Sequence, residues 1–288
     1  MSDYQQIRYT VTDGIAEVRL FRPARMNAFT LDMKNELVDV IGRIDRDDAV
    51  RVAIFTGEGK AFCAGMELEA GGDIFGYDIP QGDTLNLHEI RDSGGEVVLA
   101  VYNCRKPMIA AINGAAVGVG VTMTLPFDFR LCSHKARFGF VFTQRGIVPE
   151  SCSMWFLPRV VGMQTALEWT LTGDLFDAQE ALRAGFVRSV HAPEDLLAAA
   201  HDLAKRIRDR TSPVSVAIAR QMMWRSAALD HPMQAHVIDS KLMYQTYQMP
   251  DGKDGFAAFL EKRAPVFTAK VSADLPSGYP WWIEPELK

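Results

Sequence analysis

The sequence predicts an α/β fold. Three observations carry the prediction: short apolar runs that stop at glycine, helical periodicity between them, and one period-two alternation near the N-terminus. The alternation is Ile15-Ala16-Glu17-Val18-Arg19-Leu20, a strand entered through a turn at Asp13-Gly14 and ended by Arg22-Pro23. Leu31, Leu37, Val38, Ile41 and Ile44 then recur at helical spacing behind Thr30, which has the chemistry of an N-cap, so 31–44 reads as an amphipathic helix. Arg51–Thr56 closed by Gly57, and Met108–Ile112 closed by Asn113-Gly114, read as fully buried strands, and Phe127–Cys132 as a third.

Between these strands, residues 71–84 carry Gly71, Gly72, Gly76, Pro80 and Gly82 with no period, which reads as a long surface loop. From Thr211 the pattern is helical through Met243, with a further short helix over 252–262. Its large apolar residues, Met222, Met223 and Trp224 among them, serve to cover either the chain's own core or a neighbour's. The tail from Lys270, with Pro276, Pro280 and Pro285, is irregular. The expected organisation is a core over 1–210, a helical region over 211–269 and an extension over 270–288.

Composition narrows the function. A chain of 288 residues, 48% hydrophobic and 23% charged, buries a substantial core. A net charge of −5 without a Lys/Arg block offers little to a phosphate backbone, which argues against nucleic acid as the main ligand. No run of about 18 apolar residues and no N-terminal signal pattern occurs, so the expectation is a soluble, cytoplasmic protein without membrane contact. Cys63, Cys104, Cys132 and Cys152 form no CxxC pair and suit reduced, mostly buried thiols. Six scattered histidines show neither ligand spacing nor Ser-His-Asp logic, so no metal is expected.

Two glycine-bearing segments, Ala61–Leu68 (AFCAGMEL) and Asn113–Gly120 (NGAAVGVG), each follow a buried strand. Small residues there leave backbone N–H groups unobstructed, and two such donors converging on one oxygen stabilise a developing oxyanion by roughly 3 kcal/mol each. Met66 and Val119 are the donors this pattern selects. Other glycine-loop readings fail. Thr56–Ala61 lacks the first glycine and the Ser/Thr of a phosphate loop, and Gly118–Met123 has Met123 where a dinucleotide fingerprint needs a small residue.

KAFCAGMEL, KPMIAAINGAAVGVG, DFRLCSHKARFGF, RGIVPE, LTGDLFDAQEALRAGFV and FLEKRAPVF, in that order, resemble the enoyl-CoA hydratase/isomerase (crotonase) family over nearly the whole chain. The resemblance implies a spiral of ββα units with a helical C-terminal trimerisation region, homotrimers or pairs of trimers, and an acyl-CoA thioester as substrate. Coenzyme A is then part of the substrate and no separate cofactor is implied. Met66 and Val119 become the oxyanion hole, with Val119 where relatives usually carry Gly. Ala64, Gly65, Glu67, Leu68, Gly118 and Phe142 border the pocket, Arg25 and Ala28 flank the ligand, and Phe259 and Lys262 approach it from the C-terminal helix.

The acids depart from the family pattern. Typical hydratases carry glutamates at the positions of Thr122 and Phe142. Glu150, after Val148-Pro149, matches the catalytic Glu of relatives that move a double bond along the acyl chain. One carboxylate suffices for that reaction, because it removes a proton from C2 and returns it at C4 while the oxyanion hole holds the enolate. Phe138, Phe140, Phe142, Trp155 and Phe156 are expected to supply an apolar setting that raises its pKa. Isomerisation is therefore the leading expectation. Hydration using a loop carboxylate, Glu69, Asp73 or Asp78, is the alternative, and a catalytically silent acyl-CoA binder is the rival of another class. Glu67 and the loop acids otherwise read as solvated surface carboxylates, His88 as a weak pocket candidate, and Asp128 as a structural acceptor of backbone N–H near the oxyanion turn.

Overall fold

Asp13 and Gly14 both adopt left-handed backbone, φ 48° and 72°, and so reverse the chain between β1 (Ile7–Thr12) and β2 (Ile15–Leu20). The two pair antiparallel, with Thr12 opposite Ile15. No sequence pattern announced β1: only Ile7 of its six residues is buried, so it has no apolar face to read. The structure, a computed structural model, describes residues 4–68 and 90–284. The loop expected over 71–84, with Glu69, Asp73, Asp78 and His88, and the tail residue Pro285 lie outside the described residues.

Beyond β2, four strands add in parallel: β3 (Val52–Gly57), β5 (Met108–Ile112), β7 (Phe129–Ser133) and β10 (Ser189–His191), giving a sheet in the order β1-β2-β3-β5-β7-β10. After β3, β5 and β7 the chain turns sharply and lays down a second short strand: β4 (Ala61–Cys63), β6 (Ala115–Val117) and β8 (Arg137–Gly139). With β9 (Leu175–Asp177) antiparallel to β8, these form a separate four-stranded sheet. The helices α1 (Leu31–Arg46), α2 (Ser93–Asn103) and α3 (Val119–Thr122) follow β2, β4 and β6, so strand, strand and helix repeat along the chain. This is the expected ββα spiral.

Local sequence explains the elements. Thr30 Oγ1 accepts the Met33 N–H at 3.1 Å and caps α1, which buries Met33, Leu37, Val40, Ile41 and Ile44. Three helices, α4 (Ser153–Val161), α5 (Met163–Thr172) and α6 (Ala178–Arg183), lead to α7 (Leu196–Arg210), and β3 and β5 are buried along their whole length because α7 covers the other face of the large sheet through Leu196, Ala200 and Leu203. The third predicted strand begins at Phe129 rather than Phe127, because Phe127 and Asp128 are held in a turn. Asp128 Oδ2 accepts from Met108 N–H, Arg220 Nε and, through its other oxygen, Trp224 Nε1. It is structural as expected, but it serves the start of β5, at the opposite end of that strand from the oxyanion turn.

The expected helical run after Thr211 is two helices, α8 (Pro213–Ser226) and α9 (Pro232–Gln248), followed by α10 (Pro250–Glu261). The break lies before Pro232, where His231 and Gln234 form a capping box that starts a new helix. The tail lays Leu275, Tyr279 and Trp281 over Val214, Ile218 and Leu242 of the same chain, whereas Val237, Met243, Phe256 and Leu260 stay exposed. Among the described residues no helix is long and apolar enough to cross a membrane.

Arg220 ties α8 to the core. Its guanidinium, 3% exposed, pairs with Asp128 at 2.8 Å and donates to the carbonyls of Val101, Tyr102 and Cys104 at the end of α2. Removing it takes the charge partner from the Asp128 carboxylate and the side-chain donor from the Val101 carbonyl, so Arg220→Ala is expected to lower the unfolding free energy by about 3 kcal/mol or more, read as an earlier midpoint in chemical denaturation.

Candidate active site

β4 and β6 lie side by side in parallel, Ala61 opposite Ala115 and Cys63 opposite Ala116, so the two glycine-bearing turns leave the small sheet at the same end. Their backbones touch. A Cβ on Gly120 would overlap the carbonyl oxygen of Cys63, and one on Gly65 would stand 3.2 Å from Val117 O. Only glycine at 120 lets the first turn of α3 rest directly on the end of β4.

That contact places the two predicted donors. Phe29 N–H donates to Gly65 O at 2.8 Å and Glu67 N–H to Phe29 O at 2.9 Å, a parallel bridge that leaves the N–H of Met66 unused. Val119 is the first residue of α3, where an N–H has no intrahelical acceptor. Neither N–H donates to any acceptor among the described residues. Val119 is 4% exposed and Gly118, its N-cap, takes φ 56°.

Glu67 corrects its expectation as a solvated carboxylate. Its side chain is 15% exposed and accepts from Arg22 at 2.6 Å and Arg25 at 2.8 Å, and those two bonds hold its carboxyl below the usual range. Arg22 also donates to the carbonyl of Ala28 at 2.6 Å, so residues 25–28 are fastened to the turn that carries Met66. Arg25, expected beside a phosphate, is engaged by Glu67 and remains partly open to solvent. Ala64 and Leu68 are exposed at the rim, and Gly65 is buried. Phe259 and Lys262 lie at the exposed end of α10, which packs on α9; within one chain the structure does not bring them to the turns.

Glu150 sits where Thr122 meets it. Thr122, fully buried on the last turn of α3, donates its hydroxyl to Glu150 Oε1 at 2.6 Å, and Ser151 Oγ donates to Oε2. The residue that looked like a lost acid is therefore the partner of the acid that remains. Phe142, at the second lost position, is buried at the start of a 3₁₀ turn over Thr143–Arg145. The expected aromatic residues pack in two clusters. Phe138 and Phe140 stack with Trp169 and Phe176, while Trp155 and Phe156 pack with Tyr102 and Trp224. What closes on Glu150 is the start of α2, together with Ser151 and Thr122.

Burial, followed by the neighbouring Asp92 carboxylate, pushes Glu150 up from 4.5 to about 7, against the two hydroxyls that stabilise its charge. Immediately after it, Ser151 and Cys152 both take left-handed backbone, φ 58° and 52°, which non-glycine residues seldom do. Buried Ser151 is held there by donating its N–H to Asp92 Oδ1 at 3.0 Å. Neither Asp92 nor Ser151 was singled out from sequence; Asp92-Ser93-Gly94-Gly95 carries a helix-cap signature and no sign of its neighbour 58 residues on.

Two outcomes follow from this electrostatic setting. A carboxyl whose pKa is raised on folding contributes stability below its unfolded value and loses it as pH rises through the folded value. Glu150→Gln is therefore expected to gain stability over wild type between pH 4.5 and about 7, reaching on the order of 3 kcal/mol above that window and nothing below it, in melts run across pH. Thr122→Val removes a hydroxyl bond to the charged form, so the Glu150 carboxyl should titrate about one unit more alkaline in infrared difference spectra, while Thr122→Ser leaves it in place.

Residues 10–270 match the model of the enoyl-CoA hydratase/isomerase family. The chain is 42% identical over 257 residues to an enoyl-CoA hydratase of Alternaria alternata, covering 88% of this chain and 83% of that protein. It is 30% identical over 268 residues to the 1,2-epoxyphenylacetyl-CoA isomerase of Escherichia coli K12, covering 90% and 97%. Among solved structures, a putative enoyl-CoA hydratase from Streptomyces coelicolor A3(2) superposes with a TM-score of 0.82 at 31% identity, over 93% of this chain and 96% of that one. With the ββα spiral and its paired turns, these likenesses show that the chain belongs to the enoyl-CoA hydratase/isomerase family of enzymes.

Proposed function

We propose that this enzyme binds an enoyl-CoA thioester, holds the thioester oxygen between the N–H groups of Met66 and Val119, and shifts the double bond with Glu150 as its acid/base. The observation that carries the reading is the Thr122–Glu150 hydrogen bond of 2.6 Å. Val119 and Thr122 begin and end the same four-residue helix, so the carboxyl is tethered about one helical turn, roughly 5 Å, from the proposed oxyanion donor. A base at that distance reaches the carbon next to the thioester carbonyl.

Glu150 takes a proton from C2 of a 3-enoyl thioester, and the C–H electron pair delocalises onto the thioester oxygen. The resulting dienolate is stabilised by two backbone donors. The carboxyl then returns a proton at C4, the double bond moves to C2–C3, and no water is consumed. A pKa near 7 suits one group that must both accept and donate a proton. Arg25 and Ala28, with Phe259 and Lys262 from a second copy in a trimer, line the coenzyme A path in this reading, and the exposed apolar side chains of α9 and α10 form the trimer contact. Hydration is the second reading, favoured by the Alternaria relative, which is named a hydratase.

Incubation of 2-enoyl- and 3-enoyl-CoA esters in deuterated water, followed by mass spectrometry, separates the two readings. Isomerisation yields the positional isomer, resolved from its substrate by chromatography, with no gain of water from the solvent, and Glu150→Gln is expected to slow it by about 100-fold or more. Water addition that survives in Glu150→Gln would overturn the assignment of the base.

A further inference from the structure

Glu150 is not the only carboxyl at this place. Asp92, the N-cap of α2, accepts two N–H groups on Oδ1, from Gly95 at 2.6 Å and from Ser151 at 3.0 Å. Ser151 in turn donates its hydroxyl to Glu150 Oε2, so one buried serine touches both acids.

The start of α2 is shaped for this approach. A Cβ on Gly94 would overlap both Glu150 Oε2 and Ser151 Oγ and would stand 2.9 Å from Val119 Cγ2. Glycine at 94 is therefore what admits the Glu150 carboxyl between the N-terminus of α2 and the turn carrying Val119. Two N–H groups on one oxygen at a helix N-terminus suit an anionic Asp92.

We propose that Asp92 is a positioning carboxylate for Glu150: it faces Glu150 across Ser151 as a like charge, so that the proton Glu150 takes from the substrate relieves their repulsion and stays on Glu150 until it is returned. The inference rests on Glu150 being the acid/base. Before proton abstraction the pair carries two charges and no proton. When the C2–H bond breaks, its proton goes to the pair, which then carries one charge, and the same site delivers a proton to C4. The other groups acting on Glu150 among the described residues are the hydroxyls of Thr122 and Ser151 and the thiols of Cys63 and Cys152, both pushed up from the ordinary thiol value by burial and so neutral near pH 7.

Asp92→Asn tests the idea, because asparagine keeps an oxygen for both N–H groups and is a good N-cap, yet removes the charge. The Glu150 carboxyl band is titrated by infrared difference spectroscopy, identified by its absence in Glu150→Gln, alongside pH profiles of kcat and KM. The expected result is a Glu150 midpoint lowered by about one pH unit, a tenfold loss of proton affinity. The acid limb of kcat should follow it, with a lower plateau and an unchanged KM. A midpoint that does not move in folded Asp92→Asn overturns the proposal and leaves Asp92 as a cap. Should that variant not fold, Asp92→Ser, which also caps, gives the same reading, and in wild type the Glu150 band must titrate above the ordinary Glu value; a midpoint at that value would sink it. Loss of the base assignment is separable, since it is read from turnover by Glu150→Gln and not from the band.

Discussion

The site depends on two turns packed backbone against backbone. Where Gly120 rests on the carbonyl of Cys63, α3 can begin immediately beside the end of β4, and a side chain of any size at 120 would push the two apart. From that contact follow the adjacency of Met66 and Val119, the direction of α3, and the position of Thr122 at its last turn. Thr122 in turn receives Glu150. Each step is short and rigid, so the geometry is set by the main chain and not by long flexible side chains.

Strain is concentrated where the carboxyl must be held. Ser151 and Cys152 together spend on the order of 2 kcal/mol in left-handed backbone, and this is offset by bonds to Asp92, by the burial of Ser151 and by the helix that starts at Ser153. Farther out, two buried arginines brace the scaffold. Arg130 donates to the carbonyls of Thr124, Leu125 and Phe127, which follow α3, and to that of Phe186, while Arg220 fastens α8 to the end of α2. Both arginines satisfy carbonyls at chain reversals, where no secondary structure would do so.

In the proposed reading the donors are main chain and the acid is a side chain, so the acid can sit at another position without disturbing the donors. Here the hydratase positions hold Thr122 and Phe142, one recruited as a hydroxyl donor and the other buried, and the carboxyl comes from Glu150 on the following turn. Sequence could report the loss of the acids but not the new use of Thr122.

By itself the sequence determined the alternation of strands and helices, the buried runs of β3 and β5, the two glycine turns, and Glu150 as the remaining acid. These are readable because each is a local pattern of period, cap or small residue. It misplaced Asp128, took Glu67 for a solvated group, ran α8 and α9 together, and gave no hint of β1, whose exposed face carries no apolar signal. Only the tertiary structure decided that Glu67 is locked between Arg22 and Arg25, that Glu150 is lined by the start of α2 while the aromatic residues stack elsewhere, and that Asp92 stands beside it. The physical reason is distance along the chain: carboxyl chemistry is set by the charges and hydrogen bonds within a few ångströms, and here those neighbours come from segments 28 and 58 residues away, which no local pattern can bring together.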